Sequence, residues 1–231
     1  LEKSQPQLYA LIPDLEKHTQ HHQKTIANVA SCQGIGVHSG SSVTVTLHPA
    51  VAGSGITFVR TDLEKAEVKA LWQTVTDTRN CTTIGNSQGV TISTIEHLMA
   101  ALAANGIDNV WVEIDGPELP IMDGSAQPFM ALVEEAGVKE YSAPRQVIRV
   151  LKTITVEEGD RKASFSPAPY YEIEVDFDFA GRTTLASQNL VFRLLEDDFA
   201  EDISSARTFG LLEDAEKIWS MGLAKGASLE N

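Results

Sequence analysis

The chain has 231 residues, a length that allows one large domain or two small ones. Hydrophobic residues make up 42% and charged residues 22%, which is ordinary globular usage and excludes a disordered, collagen-like or low-complexity protein. The formal net charge of −14 would repel a phosphate backbone over most of the surface, so we exclude nucleic acid as a partner. A local basic pocket for one small anionic ligand remains compatible with that charge.

Cysteine usage and hydropathy predict the compartment. Cys32 and Cys81 form no CxxC pair, so neither a disulfide framework nor a thiolate metal site is expected, and a reducing cytoplasm fits. No apolar run approaches the roughly 18 residues of a membrane span. We therefore expect a cytoplasmic protein without a membrane span, and loose association with a membrane surface is left open. Residues 1–22 carry mixed charge and a histidine cluster, and we interpret them as a leader or tag-like segment.

The first half of the chain predicts strands followed by helices. β-branched alternation is typical of half-buried strands, and a change to a spacing of three and four residues indicates an amphipathic helix. The predicted elements are strands over 42–47, 55–60 and 109–114, helices over 93–105 and 126–136, and a turn over 120–125. This order predicts an N-terminal α+β domain over 23–141.

The second half predicts another α+β unit. The segment 141–145 has the composition of a linker, and alternation resumes after it. We predict strands over 147–156, 162–165 and 171–179, and a helix over about 211–221. The second domain is predicted over 146–231.

Glu96 and His97 lie side by side in the first turn of a predicted helix. A histidine can bind zinc while an adjacent glutamate takes the proton from a water molecule, so the pair suits hydrolysis. The alternative is structural, because Ser93 and Glu96 have the spacing of a capping box in which Glu96 bonds back to the helix start. The residues by themselves favour the cap.

Three further motifs have both structural and chemical interpretations. The glycine-rich segment 34–40 around His38 lacks the Lys-Ser or Lys-Thr of a P-loop, so a β-turn or bulge is favoured. The segment 120–126 is explained as a turn with Ser125 capping a helix. A hydroxyl at Thr208 could donate to an oxyanion, although core packing is favoured for the neighbouring Phe209.

Taken together, these motifs resemble the UDP-3-O-acyl-N-acetylglucosamine deacetylases, the zinc hydrolases of lipid A synthesis, which belongs to lipopolysaccharide and lipid metabolism. The similarity runs from about Gln23 to Asn231. The motifs that carry it occur in the family's order: Gly34-Ile35-Gly36-Val37-His38-Ser39-Gly40, Ser93-Thr94-Ile95-Glu96-His97-Leu98, Gly106-Ile107-Asp108-Asn109, Pro120-Ile121-Met122-Asp123-Gly124-Ser125 and Ala206-Arg207-Thr208-Phe209-Gly210.

The resemblance implies a fold and a site. It implies a two-domain layered α+β sandwich, each domain a small sheet packed with helices, with zinc at the domain junction and a channel for the acyl chain. It implies His97 as a zinc ligand, Glu96 as the general base and Thr208 as a residue that holds the carbonyl oxygen. Four residues are implied on the substrate side: Phe209, Asp176, Phe177 and Cys81. His38 belongs to a motif but is given no chemical role. The implied partner is a UDP-linked acylated glucosamine.

The chain departs from the family in its histidines. Relatives complete the metal site with His and Asp from a later H-x-x-x-D helix and protonate the departing amine with a still later histidine. All six histidines here lie at or before His97. A catalytic zinc typically has three protein ligands, so we expect a C-terminally incomplete enzyme, inactive as the 231-residue chain alone, which a complementing C-terminal segment would restore.

Two functional classes remain open. The favoured one is a zinc-dependent amidohydrolase that removes the N-acetyl group. The alternative is a catalytically incomplete fragment or homologue that binds a nucleotide sugar or a partner protein. The presence of Glu96 favours the enzyme, because a binding protein gains little from a general base, but the capping box weakens that argument.

Overall fold

The computed structural model describes residues 22–178, 187–194, 197–211, 214 and 218–231. The α+β class predicted from the sequence is confirmed, with small sheets and short helices.

The described helices are α1 Glu96–Ala104, α2 Gln127–Ala136 and α3 Phe199–Asp202. The strands of the first part of the chain are β1 His22–Ile26, β2 Ala30–Ile35, β3 Ser42–Pro49, β4 Ile56–Arg60, β5 Ala66–Lys69, β6 Val75–Asp77, β7 Thr83–Gly85, β8 Thr91–Ile92, β9 Val110–Ile114 and β10 Val138–Pro144. Those that follow are β11 Ile154–Glu158, β12 Arg161–Phe165, β13 Glu172–Phe177 and β14 Gln188–Arg193.

Two compact units divide the described chain. One comprises residues 22–143 together with the described part of 200–231, and the other lies within 144–199. We call them the core unit and the hairpin unit. The domain boundaries predicted from the sequence, 23–141 and 146–231, remain a prediction.

The core unit is built on a five-stranded sheet with the order β2-β3-β9-β4-β5, in which only β4 and β9 among neighbouring strands run parallel. Alternation along β3 sends Val43, Val45 and Leu47 into the interior and leaves the threonines between them at least partly exposed. The inward faces of the sheet, α1 and α2 share one hydrophobic core, to which the helices contribute Leu98, Leu102, Phe129 and Val133 among others. A sheet with one apolar face and two amphipathic helices is a stable layered arrangement.

Two smaller sheets complete the core unit. Strands β6, β7 and β8 form an antiparallel sheet, and β1 pairs with β10. The predicted linker over 141–145 is wrong at its start, because Tyr141 to Pro144 belong to β10. The phenol of Tyr141 donates to the carbonyl of Ala50 at 2.7 Å, so this segment is held against the core unit by a specific contact.

The hairpin unit contains two antiparallel pairs, β11 with β12 and β13 with β14. The strand predicted over 147–156 is shorter than expected, since β11 begins only at Ile154. The helix predicted over 211–221 belongs to the core unit, and residues 212, 213 and 215–217 of it lie outside the described residues.

Candidate active site

The start of α1 presents Glu96 and His97. Ile95 occupies the N-cap position without a side-chain hydrogen bond, and the Ser93 hydroxyl donates instead to the carbonyl of Pro117 at 3.3 Å. The Glu96 carboxylate accepts the backbone N–H of Thr82 at 3.0 Å. The capping box, which the residues alone favour, is therefore wrong. The Glu96 side chain bonds Thr82 and not the backbone at the start of its own helix.

His97 is half-buried beside two carboxylates. Burial lowers the pKa of His97, and the charges of Glu96 and Asp123 oppose that shift without cancelling it. Desolvation disfavours the imidazolium form. The environment thus favours a neutral imidazole, the form that can act as a metal ligand.

The turn at 120–125 brings Asp123 and Thr208 to the same place. Asp123 Oδ1 accepts the backbone N–H of Ser125 at 3.0 Å and its hydroxyl at 2.7 Å, and Ser125 Oγ accepts the N–H of Gln127 at 3.1 Å. Ser125 therefore bonds the first residue of α2, although the N-cap position belongs to Ala126 and not to Ser125 as predicted. Gly124, at a φ of +84°, accepts the N–H of Thr208 at 2.8 Å through its carbonyl. Thr208 is thereby tied to the residue that follows Asp123.

Cys81 lies beside His38. Hydrogen bonding to His38 lowers the pKa of the Cys81 thiol and, reciprocally, raises the pKa of His38. The Thr83 hydroxyl is a further neighbour, 3.7 Å from Cys81 Sγ. His38 sits in the turn between β2 and β3, in which the N–H of Gly40 donates to the carbonyl of Gly36 at 2.9 Å. The glycine-rich segment is thus a turn, as expected, but this bond spans i to i+4 and not the i to i+3 of a β-turn.

The remaining predicted residues are Phe209, Asp176 and Phe177. Phe209 follows Thr208 in an irregular segment and is 59% exposed. Asp176 and Phe177 end β13 in the hairpin unit, where Asp176 Oδ1 accepts the side-chain amide of Asn189 at 2.6 Å and Phe177 is exposed. The contributions of these three residues to substrate binding remain predictions.

The residues present do not complete a catalytic zinc centre. Within the described ranges, no group of three or more His, Cys, Asp or Glu side chains is placed to hold a metal ion. His97 has the chemistry of a ligand, but a catalytic zinc typically needs about three protein ligands. His97 would therefore account for one ligand of such a centre and no more.

Two residues of this region, Glu118 and Thr94, are not predicted from the sequence as part of the site. Glu118 is 3% exposed and accepts hydrogen bonds from the 36–40 turn and from Thr94. Thr94 is buried with a φ of +58°, a conformation that nothing in its residue type signals. For Glu118 a weak signal exists, since a charged residue flanked by Pro117, Leu119 and Pro120 stands in an otherwise apolar run.

Comparisons with known proteins identify the family that this chain matches. Residues 23–231 match the LpxC family, described as UDP-3-O-acyl N-acetylglycosamine deacetylase. A UDP-3-O-acyl-N-acetylglucosamine deacetylase of Myxococcus xanthus is 50% identical over 214 residues, covering 92% of this chain and 68% of the relative. Enzymes with the same name from Tolumonas auensis and a Geobacter species are 47% and 48% identical, each over 90% of this chain and covering 69% and 68% of the relative.

Within the part of the chain that the structure describes, no helix combines the length and apolarity needed to cross a bilayer.

Proposed function

Because the chain belongs to the UDP-3-O-acyl-N-acetylglucosamine deacetylase family, we propose that it serves the hydrolysis of the N-acetyl group of UDP-3-O-acyl-N-acetylglucosamine in lipid A biosynthesis. The water oxygen bonds to the acetyl carbonyl carbon, the C–N bond breaks, acetate leaves and the amine nitrogen gains a proton. The cytoplasm, where nucleotide sugars and reduced thiols coexist, is the proposed compartment.

The observation that carries this proposal is the orientation of Glu96. Its carboxylate is held by the Thr82 N–H at 3.0 Å and is not engaged in capping its own helix. One oxygen of that carboxylate thus has a fixed donor, while the group as a whole can still accept a proton from water. A positioned carboxylate in this role is a general base.

Thr208 is the proposed oxyanion donor. Its backbone N–H donates to the carbonyl of Gly124 at 2.8 Å, which fixes its position. Gly124 follows Asp123, whose negative charge acts to raise the pKa of His97. A hydroxyl donor acts most strongly on the oxygen that gains charge in the transition state. We assign it the carbonyl oxygen of the acetyl group.

Zinc is the proposed cofactor, with His97 as one ligand. When bound, zinc would polarise the carbonyl and lower the pKa of a bound water. The other ligands and the proton donor for the amine are not supplied by any histidine after His97. We accordingly propose that the 231-residue chain alone is inactive and that activity requires these groups from additional polypeptide.

The test is Glu96→Gln in the polypeptide encoded by the complete reading frame. The glutamine oxygen can still accept the Thr82 N–H, but the amide cannot take a proton, so turnover should fall by about 10² to 10⁴ while zinc is retained. Acetate release from the acylated UDP-N-acetylglucosamine measures turnover, and atomic emission measures zinc.

Glu135→Gln is the matched control, because Glu135 is exposed on α2. It should leave turnover unchanged. Full activity in Glu96→Gln would refute the general-base assignment. Saturable binding of the substrate by the unsubstituted protein, with zinc present and without acetate release, would refute the enzymatic proposal in favour of a nucleotide-sugar binding protein.

A further inference from the structure

Glu118 is a buried residue whose carboxylate accepts hydrogen bonds from three donors. It has no role in the chemistry proposed above. It follows β9 and is 3% exposed. Oε1 accepts the backbone N–H of His38 at 2.8 Å and the hydroxyl of Thr94 at 3.0 Å, and Oε2 accepts the N–H of Ser39 at 2.8 Å. A buried charge is tolerated only when its hydrogen-bonding capacity is met in this way.

The backbone beside Glu118 is joined to the same region. Glu118 forms a parallel bridge with Ser93, the N–H of Ser93 donates to Pro117 at 2.9 Å, and the N–H of Leu119 donates back to Ser93 at 3.1 Å. Main chain and side chain of this segment therefore both hold the residues that immediately precede α1. Little freedom is left to Ser93 and Thr94.

Thr94 has an unfavourable backbone conformation. Its φ is +58°, a region that β-branched residues rarely adopt, and it is 2% exposed. Such a conformation persists only where the surroundings over-determine it. The hydroxyl bond to Glu118 is one of those determinants. Two residues later the chain reaches Glu96, so the backbone at Thr94 sets the direction in which the first turn of α1 presents its side chains.

The 36–40 turn is fitted to the same carboxylate. A Cβ added at Gly36 would overlap both Glu118 Oε2 and the Ser39 hydroxyl. A glycine is therefore required for the carboxylate to approach this backbone. Glu118 thus connects two separate segments, the turn that carries His38 and the start of α1.

We propose that Glu118 is a positioning residue for the reaction: by bonding Thr94 and the 36–40 turn at once, it fixes the start of α1 so that Glu96 and His97 face the substrate. This inference rests on the proposed function and adds to it a residue that touches neither substrate nor reacting atoms. A carboxylate is required because all three partners are donors. A glutamine would turn its NH₂ group toward the N–H of either His38 or Ser39, which then loses its acceptor.

The experiment uses Glu118→Gln in the complete enzyme, at a temperature well below its unfolding midpoint. Turnover per folded molecule should fall about 10- to 100-fold, the range for residues that orient a site's functional groups, with KM within about threefold of the unsubstituted value because substrate contacts are intact. Amide hydrogen exchange at His38 and Ser39 should accelerate, since both N–H groups lose a charged acceptor.

Glu113→Gln is the matched control. Glu113 lies on β9 and also has a hydrogen-bond partner, His48 Nε2 at 3.0 Å, but that contact belongs to the sheet. It should change neither turnover nor the exchange of the two turn amides.

A second variant covers the case in which Glu118→Gln folds poorly. Thr94→Val keeps the size and β-branching of the side chain and removes only the hydroxyl, so turnover should fall by a smaller factor with KM again unchanged. Turnover per folded molecule within twofold of the unsubstituted enzyme in both variants would overturn the proposal. An enzyme that releases no acetate before any substitution would instead overturn the proposed function, so the two failures are distinguishable.

Discussion

The core unit and the hairpin unit contain strands of similar length but bury them very differently. Four of the five residues of β4 are buried, whereas every residue of β12 is exposed. In β4 the neighbours β5 and β9 flank both edges and helices cover a face, while β12 pairs with β11 and with no other described strand. A two-stranded ribbon cannot enclose its own apolar face. Additional layers, rather than strand propensity, produce the core.

The two units also differ in whether the contacts of their polar side chains are buried or exposed. In the core unit, the buried Thr25 has a specific partner, because its Oγ1 accepts the N–H of Ala50 at 3.0 Å. In the hairpin unit, polar contacts lie at the surface, as between Arg193 and Glu172 at 2.7 Å. Functional groups need a supporting shell that fixes their rotamers. The core unit supplies such a contact to Glu96, whose carboxylate accepts the Thr82 N–H at 3.0 Å.

The difference in burial between the two units should have its largest effect on stability at two phenylalanines, one on a strand of each unit. Phe58 in β4 is 0% exposed, and Phe165 in β12 is 66% exposed. Phe58→Ala should lower the free energy of unfolding by about 3–5 kcal/mol, because it removes apolar contacts and leaves a cavity. Phe165→Ala should change it by less than about 0.5 kcal/mol, as is usual for surface positions.

Urea unfolding followed by circular dichroism measures both variants. Phe165 serves as the control for Phe58, since residue type, strand context and substitution are the same. A large loss in Phe165→Ala would break the comparison, because it would mean that β12 packs against something in solution. A small loss in Phe58→Ala would contradict the core itself.

The sequence predicts those elements whose periodicity decides their structure. Alternation in β3 and the three- and four-residue spacing in α1 both follow from burying one face, so each was predictable from apolar positions alone. Glu96 and His97 were predicted at the start of α1 and lie there. The family resemblance, carried by ordered motifs, identified the family that the comparisons then showed.

Long-range contacts account for what the sequence could not predict. The Glu96 carboxylate bonds Thr82, fourteen residues away, and no local rule distinguishes this from a capping box. Thr94, whose φ is positive, bonds Glu118 twenty-four residues later, and no local pattern signals that contact. The segment from Tyr141 to Pro144 has linker composition but pairs with β1, which only the tertiary fold decides.

A smaller effect tests the membership of residues 222–231 in the core unit. The N–H of Gly226 donates to Val37 at 3.0 Å, and a Cβ at Gly226 would overlap the Gly36 carbonyl and lie 2.9 Å from Ile35 Cγ2. Gly226→Ala should therefore destabilise the unit by about 1–3 kcal/mol, the usual cost of forced overpacking.

Gly210→Ala is the control within the same stretch of chain, because a Cβ there meets nothing within 4 Å and its φ is not positive. It should leave the urea midpoint unchanged. If Gly226→Ala unfolds at the same urea concentration as Gly210→Ala, the contact between this segment and the 36–40 turn does not contribute to stability.

We expect the interior of the core unit to alter the ionisation and reactivity of its cysteine thiols as well as its stability. Its two cysteines have opposite environments. Burial raises the pKa of Cys32 in β2 to about 11, whereas hydrogen bonding to His38 lowers the pKa of Cys81. The thiolate is the reactive form, so its fraction at a given pH decides the rate.

At pH 8 a thiol with a pKa of about 11 is ionised in roughly one molecule per thousand, while a thiol with a pKa below its ordinary value is ionised in a far larger fraction. A lower pKa also weakens the nucleophile, which offsets part of this difference. Single-cysteine variants, Cys32→Ser and Cys81→Ser, should then show Cys81 alkylated by iodoacetamide at least about ten times faster than Cys32 in the folded protein, with both rates converging in 8 M urea. As pH rises, the rate at Cys81 should level off first, because its folded-state pKa is the lower one. Equal rates in the folded protein, or a faster Cys32, would show that the His38 contact does not lower the pKa of Cys81.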